Sequence, residues 1–243
     1  ELVSNIVQKR RKEGFEGQDF LQTLMEAEYK TGEKLTDHEI TGLLIATMFA
    51  GHHTSSVTFA WTLLELLRHP AQLKEVVDEI FEVLGPDEPV TYEALRKLDK
   101  TEWAIKEALR LHPPLFILFR VAMQDTQLMG YDVPEGTWVG ISPTVAHQIE
   151  AVFKDASSFD IHRYGPDRKE DRQAFAFIAF GGGRHKCLGS AFALLQIKTI
   201  LATLLRRFEF DLAGDPIEPD FQGMVIGPKM PIRVTYQAVE PAS

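Results

Sequence analysis

The feature that most constrains the fold is one long apolar helical segment. Thr36 and Glu39 match a capping box, in which a threonine and a glutamate three residues later cap the start of a helix. The helical pattern then runs from Asp37 to about Arg68 and ends before a His-Pro pair. More than thirty residues at about 1.5 Å each span roughly 45 Å. A helix this long and this apolar is predicted to cross the interior of a domain.

The rest of the chain is predicted to be mainly α, with small β regions. Between residues 116 and 141 the apolar period drops towards two, and a Pro-Glu-Gly turn interrupts it, which indicates short strands. Residues 142–172 and the Gly- and Pro-containing tail are predicted to be mostly loop, with short strands in the tail. Further helices are predicted over residues 19–29, 71–84, 91–97, 102–112 and 188–208.

The bulk composition excludes several classes of protein. A hydrophobic content of 44% and a charged content of 25% are typical of a globular protein, and a net charge of −9 argues against nucleic acid as a partner. No apolar run reaches the 18 residues or more that a transmembrane helix needs. The chain opens on Glu1, within a helical pattern and without a methionine, so we expect it to be a fragment that exposes large apolar surfaces.

The single cysteine lies in an unusual loop. Cys187 is the only cysteine among 243 residues, which excludes a disulfide scaffold and is compatible with a reducing compartment. Three consecutive glycines, residues 181–183, can adopt positive φ angles and let the backbone approach a large flat ligand. Arg184, His185 and Lys186 then precede the cysteine, and a helix follows it. Nearby cations and a helix N-terminus favour the thiolate, which is the form that binds metal.

The residues of this loop distinguish between two kinds of metal site. Zinc usually takes four protein ligands, and the chain has no second cysteine. Haem needs only one axial protein ligand, and a cysteine thiolate is a known choice. The alternative is a glycine-rich turn that precedes a helix and contains an incidental buried cysteine.

A charged pair upstream adds a second signal. Glu107 and Arg110 lie one helical turn apart on the same face, which alone describes many solvated ion pairs. Followed some 80 residues later by a glycine-rich cysteine loop, the pair resembles the double signature of the cytochromes P-450. The resemblance implies a third member, and Arg163 occupies its position. Glu107, Arg110 and Arg163 are then expected to form a buried triad that serves folding and haem retention.

The middle of the long helix carries the sequence Ala50-Gly-His-His53-Thr54-Ser-Ser56. Two histidines and three hydroxyls within an apolar helix are costly unless they are satisfied. A hydroxyl and a titratable ring in one groove are suited to holding O2 and relaying protons. The alternative is an ordinary packed helix whose polar groups are all satisfied.

Several positions resemble one branch of the family, the sterol 14α-demethylases. His53 stands where most cytochromes P-450 have an acid, and His185 stands in the cysteine loop where many have arginine. Residues 111–115 and 117–121 agree with this branch, and His52 is typical of its bacterial members. The resemblance extends from about residue 18 to residue 234.

The resemblance implies a cofactor and a role for each motif residue. The cofactor is haem b, iron protoporphyrin IX, with Cys187 as its axial ligand. Thr54 and His53 are expected to serve oxygen activation and proton delivery. Arg120 and His185 are expected to hold the haem propionates, since both side chains can donate hydrogen bonds to carboxylates. The residues expected to contact the cofactor are Cys187, Arg120, His185, Phe180 and Gly181.

The resemblance also implies a substrate and an activity. The substrate is a lanosterol-type sterol, and three O2 are consumed as its 14α-methyl passes through alcohol and aldehyde and leaves as formic acid. Two alternatives stay open: a cytochrome P-450 that hydroxylates another lipid or a terpenoid, and a non-enzymatic thiolate-haem sensor. The expected pocket residues are Phe49, Ala50, His53, Leu115, Phe116, Ile117 and Leu118, with Met224 and Val225 as further candidates.

The implied partners and location complete the expectations. Electrons are expected from a ferredoxin or a reductase, which docks on a cationic patch formed by Arg184, Lys186 and Lys198. Residues 1–243 are expected to form the C-terminal portion of a single cytochrome P-450 domain: long central helix, Glu-x-x-Arg helix, cysteine loop and following helix. Its other partner is then the N-terminal half of the same enzyme. The bacterial character implies a cytoplasmic location, with a membrane anchor in the N-terminal half left open.

Overall fold

The computed structural model describes residues 1–15, 17–214 and 216–239. The chain forms two compact units, Glu1–His53 and Thr54–Ser243. The division falls within the long predicted helix. Among the described residues, we find no helix with both the length and the apolar character that crossing a membrane requires.

The first unit is entirely helical apart from its connections. It contains helix α1 (Leu2–Glu13), helix α2 (Phe20–Glu26) and the first part of helix α3 (Asp37–Arg68). Helix α2 stops before residue 29, where the 19–29 prediction ended, because Glu28 pairs with Lys34 in a β-bridge. Its small core consists of Val7, Leu21, Met25 and Ile40.

The capping box at the start of helix α3 is confirmed. The backbone N–H and the hydroxyl of Thr36 donate to the Glu39 carboxylate at 2.8 and 2.7 Å, and the Glu39 N–H donates back to the Thr36 hydroxyl at 3.3 Å. These bonds lower the pKa of Glu39 to about 2, chiefly because the carboxylate accepts from the Thr36 hydroxyl.

Helix α3 has the predicted length, but only part of it is buried by the described residues. Its C-terminal part is buried, with Trp61 and Leu66 at the core. Its N-terminal part is open to solvent: Met48 is 68% exposed and Phe49 is 75% exposed. The apolar pattern of helix α3 therefore extends beyond the part of the helix that the described residues bury. The expectation of large exposed apolar surfaces is confirmed here.

The described residues of the second unit add five further α-helices around one main core: α4 (Pro70–Leu84), α5 (Tyr92–Leu95), α6 (Asp99–Leu111), α7 (Pro143–Ala146) and α8 (Ser190–Leu205). Helix α4 ends at Gly85, whose φ of 63° suits glycine, and helix α6 begins where the Glu79 carboxylate accepts the N–H groups of Lys100 and Thr101 at 2.6 and 2.9 Å. Side chains of α3, α4, α6 and α8 form the core.

In the part of the chain that the structure describes, the strands form four antiparallel pairs, and the predicted β region between residues 116 and 141 is confirmed. Strand β1 (Leu118–Val121) pairs with β4 (Trp138–Ile141), and β2 (Thr126–Leu128) pairs with β3 (Tyr131–Val133). Helix α8 ends at Leu205, short of the predicted end at residue 208, because the chain continues into a strand that begins at Phe208. The tail pairs are β5 (Phe208–Leu212) with β8 (Val234–Ala238) and β6 (Pro219–Asp220) with β7 (Gly227–Pro228).

Candidate active site

The cysteine loop is a tight turn closed by its own backbone. The N–H of Cys187 donates to the carbonyl of Phe180 at 2.8 Å, and the N–H of Gly181 donates to the carbonyl of Ile178 at 2.9 Å. Between these bonds lies one turn of 3-10 helix, Gly183–His185. The loop therefore holds Cys187 just ahead of the N-terminus of helix α8.

Two glycines are required by this turn. Gly181 has a φ of 70° and Gly183 a φ of 62°, conformations that L side chains rarely adopt. A Cβ on Gly181 would also lie 3.2 Å from the carbonyl oxygen of His185, whereas a Cβ on Gly183 would meet open space. The predicted use of glycine for positive φ is therefore confirmed at these two positions.

The thiol lies on an open, apolar surface. Cys187 is exposed, so it is not the incidental buried cysteine of the alternative interpretation. Leu188 is fully exposed, and Phe192, in the first turn of α8, is 68% exposed. Phe175 is 71% exposed, and its ring lies 3.0 Å from the place where a Cβ of Gly182 would stand. A large apolar ligand against this surface would remove these side chains from water.

This surface fits a haem better than it fits a metal ion held by several side chains. Among the described residues, no group of three or more His, Cys, Asp or Glu side chains could hold a metal ion. One exposed thiol, framed by glycines and aromatic rings, matches a flat cofactor that takes a single axial protein ligand.

The two candidates for propionate binding lie on different elements. Arg120 is half-buried on strand β1, and its Nη1 donates to the carbonyl of Phe119 at 2.8 Å. His185 is exposed in the cysteine loop. Each side chain is a hydrogen-bond donor, as carboxylate recognition requires.

The prediction of a cationic patch is wrong for one of its three residues, Lys198. Arg184 and Lys186 are exposed, but Lys198 is buried within helix α8. Its Nζ lies 2.7 Å from Glu102 and donates to the carbonyl of Leu95 at 3.2 Å. Lys198 points inward because it lies on the face of α8 that packs against α5 and α6, where a carboxylate neutralises it.

Glu107 and Arg110 form a buried, two-pronged ion pair. The Nε and Nη2 of Arg110 donate to the two carboxylate oxygens of Glu107, each at 2.8 Å, and neither residue is exposed. The remaining donors of Arg110 reach the carbonyl oxygens of His147, Ala156 and Ser158 at 2.9, 2.6 and 3.0 Å. The guanidinium is thus fully satisfied, as burial of a charge demands.

Arg163 joins the same cluster from the other side of Glu107. Its Nε donates to Glu107 at 2.9 Å, and its Nη1 lies 3.0 Å from Glu170. The hydroxyl of Tyr164 also donates to Glu107, at 2.9 Å. Burial and the adjacent Glu107 carboxylate raise the pKa of Tyr164 well above its usual value, so it stays a donor. The structure therefore brings the three triad residues together, with Tyr164 as a fourth member.

The polar segment of helix α3 is divided between the two units. In the first unit the His53 ring lies edge-on to Phe49, with 6.3 Å between ring centroids, and to His52, at 4.8 Å. Ala50 is exposed beside them. In the second unit the carbonyl of Thr54 accepts from the Thr58 hydroxyl at 2.7 Å.

The tail of the chain contacts the segment that contains Leu115 and Phe116, two of the expected pocket residues. The N–H of Ile226 donates to the carbonyl of Pro114 at 2.8 Å, just before these residues. The rings of Phe116 and Phe221 meet edge-on at 6.5 Å. Ile117 and Leu118 continue into strand β1 as half-buried residues. The tail therefore reaches the expected pocket segment, although Met224 itself is largely exposed.

Two groups in the second unit were not found from the sequence. His147 is fully buried and hydrogen-bonded through both ring nitrogens, to Arg110 and Ile178. His112 stacks on Trp61 with 3.7 Å between ring centroids, and its Nε2 lies 2.8 Å from Glu65. Lone histidines in a loop and at a helix end carry no local pattern, so only the packed structure reveals their partners.

The sequence matches known proteins over nearly its whole length. Residues 1–236 match the family model described as Cytochrome P-450. The chain is 42% identical to obtusifoliol 14-alpha demethylase of Sorghum bicolor, over 98% of its own length and 50% of the relative. It is 42% identical to sterol 14alpha-demethylase of Mycobacterium tuberculosis, over 90% of the chain and 49% of the relative. It is 41% identical to lanosterol 14-alpha demethylase of Homo sapiens, over 87% of the chain and 42% of the relative.

The fold also matches that of a solved cytochrome P-450 structure. The crystal structure of cytochrome P-450DA heme domain superimposes with a TM-score of 0.92 at 29% identity, covering 99% of this chain and 54% of that one. The chain thus spans about half the length of the curated relatives it matches. With its cysteine loop, its buried Glu-x-x-Arg cluster and its sequence in agreement, the chain belongs to the cytochrome P-450 family.

Proposed function

We propose that this chain is the C-terminal portion of a haem-thiolate monooxygenase that removes the 14α-methyl group of lanosterol-type sterols. The observation that carries the proposal is the 41–42% identity to sterol 14-demethylases from a plant, a bacterium and a human. Haem b is the cofactor that the family implies, and the exposed thiol of Cys187 on an apolar surface fits it. The completing partner is then the N-terminal half of the same domain.

Each loop residue has a task in holding this cofactor. Cys187 supplies the thiolate. Gly181 and Gly183 adopt the positive φ angles of the turn and carry no side chain, so a flat ring can approach the loop backbone closely. Phe180 fixes the turn by accepting the Cys187 N–H. Arg120 and His185 are assigned to the propionates as hydrogen-bond donors. A thiolate-ligated haem supplies the activation of O2 and the insertion of one oxygen atom into a C–H bond.

Proton delivery is assigned to helix α3. The Thr54 hydroxyl can hold a proton for the reacting oxygen, and the His53 imidazole can replace it, because an imidazole both accepts and donates protons. This histidine would occupy the place of the acid that serves many other family members. The apolar body of the sterol is assigned to Phe49 and Ala50 and to the segment residues Leu115, Phe116 and Leu118.

Electron delivery is assigned to the cationic rim of the cysteine loop. Arg184 and Lys186 are exposed beside Cys187, so an acidic ferredoxin or a reductase docked there would be close to the thiolate. The proposed location is cytoplasmic, which fractionation of the natural host would test.

Turnover by the full-length protein tests the proposal. The purified enzyme is supplied with a ferredoxin system, O2 and either lanosterol or obtusifoliol, and both products are quantified. We expect formic acid and the 14-demethylated sterol in equal amounts. Hydroxylated sterol without formic acid, or turnover only of other lipids or terpenoids, would instead assign the enzyme to a different branch of the family.

Two variants separate chemistry from binding in the same assay. Thr54→Ala is expected to lower the yield of product per electron consumed, while the sterol still binds. Thr58→Ala is a matched control, because it removes a hydroxyl one helical turn away that donates to the Thr54 carbonyl. If both variants lose coupling equally, the assignment of proton delivery to Thr54 is wrong.

A further inference from the structure

The side chain of His147 joins the Glu107 cluster to the segment leading into the cysteine loop by hydrogen bonds at both ring nitrogens. It follows helix α7 directly, and its own N–H donates to the carbonyl of Pro143 at 2.9 Å, which fixes its backbone. The side chain is fully buried and stacks on Phe177, with 5.2 Å between ring centroids and 10° between planes.

The bonds of His147 define one tautomer. Its Nε2 lies 2.9 Å from the backbone nitrogen of Ile178, which can only donate, so Nε2 is an acceptor without a proton. Its Nδ1 lies 3.1 Å from the carbonyl of Arg110, which can only accept, so Nδ1 carries the proton. The ring is therefore neutral and oriented at both ends.

These bonds continue to the candidate axial ligand. The carbonyl of Ile178 accepts the N–H of Gly181 at 2.9 Å. This bond lies at the start of the turn in which the Phe180 carbonyl accepts the Cys187 N–H. On the other side Arg110 is locked by Glu107, and its Nη1 donates back to the His147 carbonyl at 2.9 Å. An unbroken series of hydrogen bonds thus links the buried ion pair to the cysteine loop through one imidazole.

We propose that His147 is a positioning residue for the Cys187 thiolate, and that it works only as the neutral Nδ1–H tautomer. The proposal rests on the proposed haem-thiolate function. A protonated ring would present an N–H to the N–H of Ile178, so that bond would be lost and the start of the cysteine loop would be released.

The surroundings of His147 oppose its protonation. Burial lowers the pKa of His147 to about 4, and the Arg110 guanidinium acts in the same direction, although the bond to the Arg110 carbonyl acts against both. The charged groups that face it are Arg110 on α6 and, through Arg110, the Glu107 carboxylate. Tyr164, a neutral donor, packs edge-on against Phe177, with 6.2 Å between ring centroids.

The sign of the pH effect follows from this shift. Opening of the loop would expose His147 and restore its ordinary pKa of 6.5, so the open form binds more protons between pH 6.5 and about 4. Opening is therefore favoured as the pH falls. Between pH 7 and pH 5 the opening equilibrium at Ile178 should rise about twentyfold.

Two variants of the full-length holoenzyme test the bonds separately. His147→Phe keeps the stack on Phe177 and removes both hydrogen bonds. We expect the Ile178 amide to exchange about tenfold faster, the equivalent of one lost bond. The fraction of the ferrous–CO complex with the thiolate band should fall as well. His147→Gln keeps an acceptor near the Nε2 position but cannot titrate, so the thiolate band should be retained and the rise at pH 5 abolished.

Controls make each outcome decisive. His38→Gln replaces an exposed histidine and should behave as wild type. The amide of Ile80 in the α4 core reports global opening, and it should not follow the pH change at Ile178. If His147→Phe leaves the Ile178 exchange and the thiolate band unchanged, the inference is overturned. If the variants do not fold, the wild-type profile decides, and a flat response at Ile178 overturns it.

The same experiment keeps this inference apart from the proposed function. A wild-type holoenzyme without a thiolate band would refute the haem-thiolate function itself. A wild-type enzyme with that band, combined with unchanged exchange in His147→Phe, refutes only the role of His147.

Discussion

The Glu107 cluster and the cysteine loop lie in the same unit and are built on opposite principles. Every charge of the cluster is buried and paired: Glu107 meets Arg110, Arg163 and Tyr164 at 2.8 to 2.9 Å. In the loop, Cys187 and its flanking residue Leu188 are exposed. The charged groups of the cluster find their partners within this chain, whereas the loop presents an exposed surface that a ligand could cover. Rigidity in the first region can therefore serve ligand binding in the second.

The largest effect is expected where the cluster is broken. Glu107→Gln removes the carboxylate that neutralises two buried guanidinium groups, so we expect the full-length protein to lose about 3–5 kcal/mol of unfolding free energy. Urea denaturation followed by far-UV circular dichroism measures the loss. Glu93→Gln, at an exposed position in α5, is the control and should change little. A loss below about 1 kcal/mol in Glu107→Gln would mean that the cluster is not the rigid region described here.

The Glu65–His112 pair provides a second, pH-dependent test of buried charge. Burial would raise the pKa of Glu65, but the hydrogen bond from His112 and its charge prevail and hold this pKa below the ordinary 4.5. Its stabilisation is therefore present above pH 4.5 and is lost as the pH falls through the lower, folded value. Glu65→Gln should cost about 1.5–3 kcal/mol at pH 7.

The cost of the same variant should shrink as the pH falls through that lower value, because wild-type Glu65 itself becomes protonated there. Denaturant titrations at a series of pH values from 7 downwards compare the two proteins. An equal cost at every pH would contradict the charged interaction of Glu65 and indicate a packing effect instead.

A smaller effect is expected from side chains added to the loop. Gly183→Ala should cost about 1–2 kcal/mol, because its left-handed backbone disfavours a Cβ that otherwise meets open space. Gly181→Ala adds a contact of 3.2 Å with the His185 carbonyl to the same strain, and should therefore cost more. Thermal unfolding and the thiolate fraction of the ferrous–CO complex report both. Equal effects from the two changes would show that the contact is unimportant.

The smallest effect on stability is expected at the rim of the loop. Lys186→Glu alters an exposed charge and should change stability by less than about 0.5 kcal/mol. Its effect should appear in electron transfer, with slower reduction by an acidic ferredoxin and a weaker dependence on ionic strength. Stopped-flow reduction at several salt concentrations measures both. Unchanged reduction would remove Lys186 from the docking surface.

The sequence predicted the elements whose signals are local. The capping box set the start of helix α3, and alternation with a Pro-Glu-Gly turn predicted the strands between residues 116 and 141. The cysteine loop and the Glu-x-x-Arg pair were recognisable because backbone chemistry restricts which residues occupy them. The family followed from the same two motifs.

Features that depend on packing could not be predicted. Lys198 was assigned to the surface because a lysine is usually solvated, but Glu102 and the Leu95 carbonyl hold it in the interior. Exposure along helix α3 depends on what covers it, and its apolar pattern carries no such information. His147 acts through two backbone groups, at Arg110 and Ile178, that are distant in sequence.

The central claim is that the exposed thiol of Cys187 is the axial ligand of a haem. The ferrous–CO spectrum of the full-length protein tests it most directly, with Cys187→Ser compared under the same conditions. We predict a red-shifted thiolate band in the wild type, and its loss in Cys187→Ser with the secondary structure unchanged. A wild-type spectrum without this band, or a Cys187→Ser spectrum that retains it, would contradict the claim.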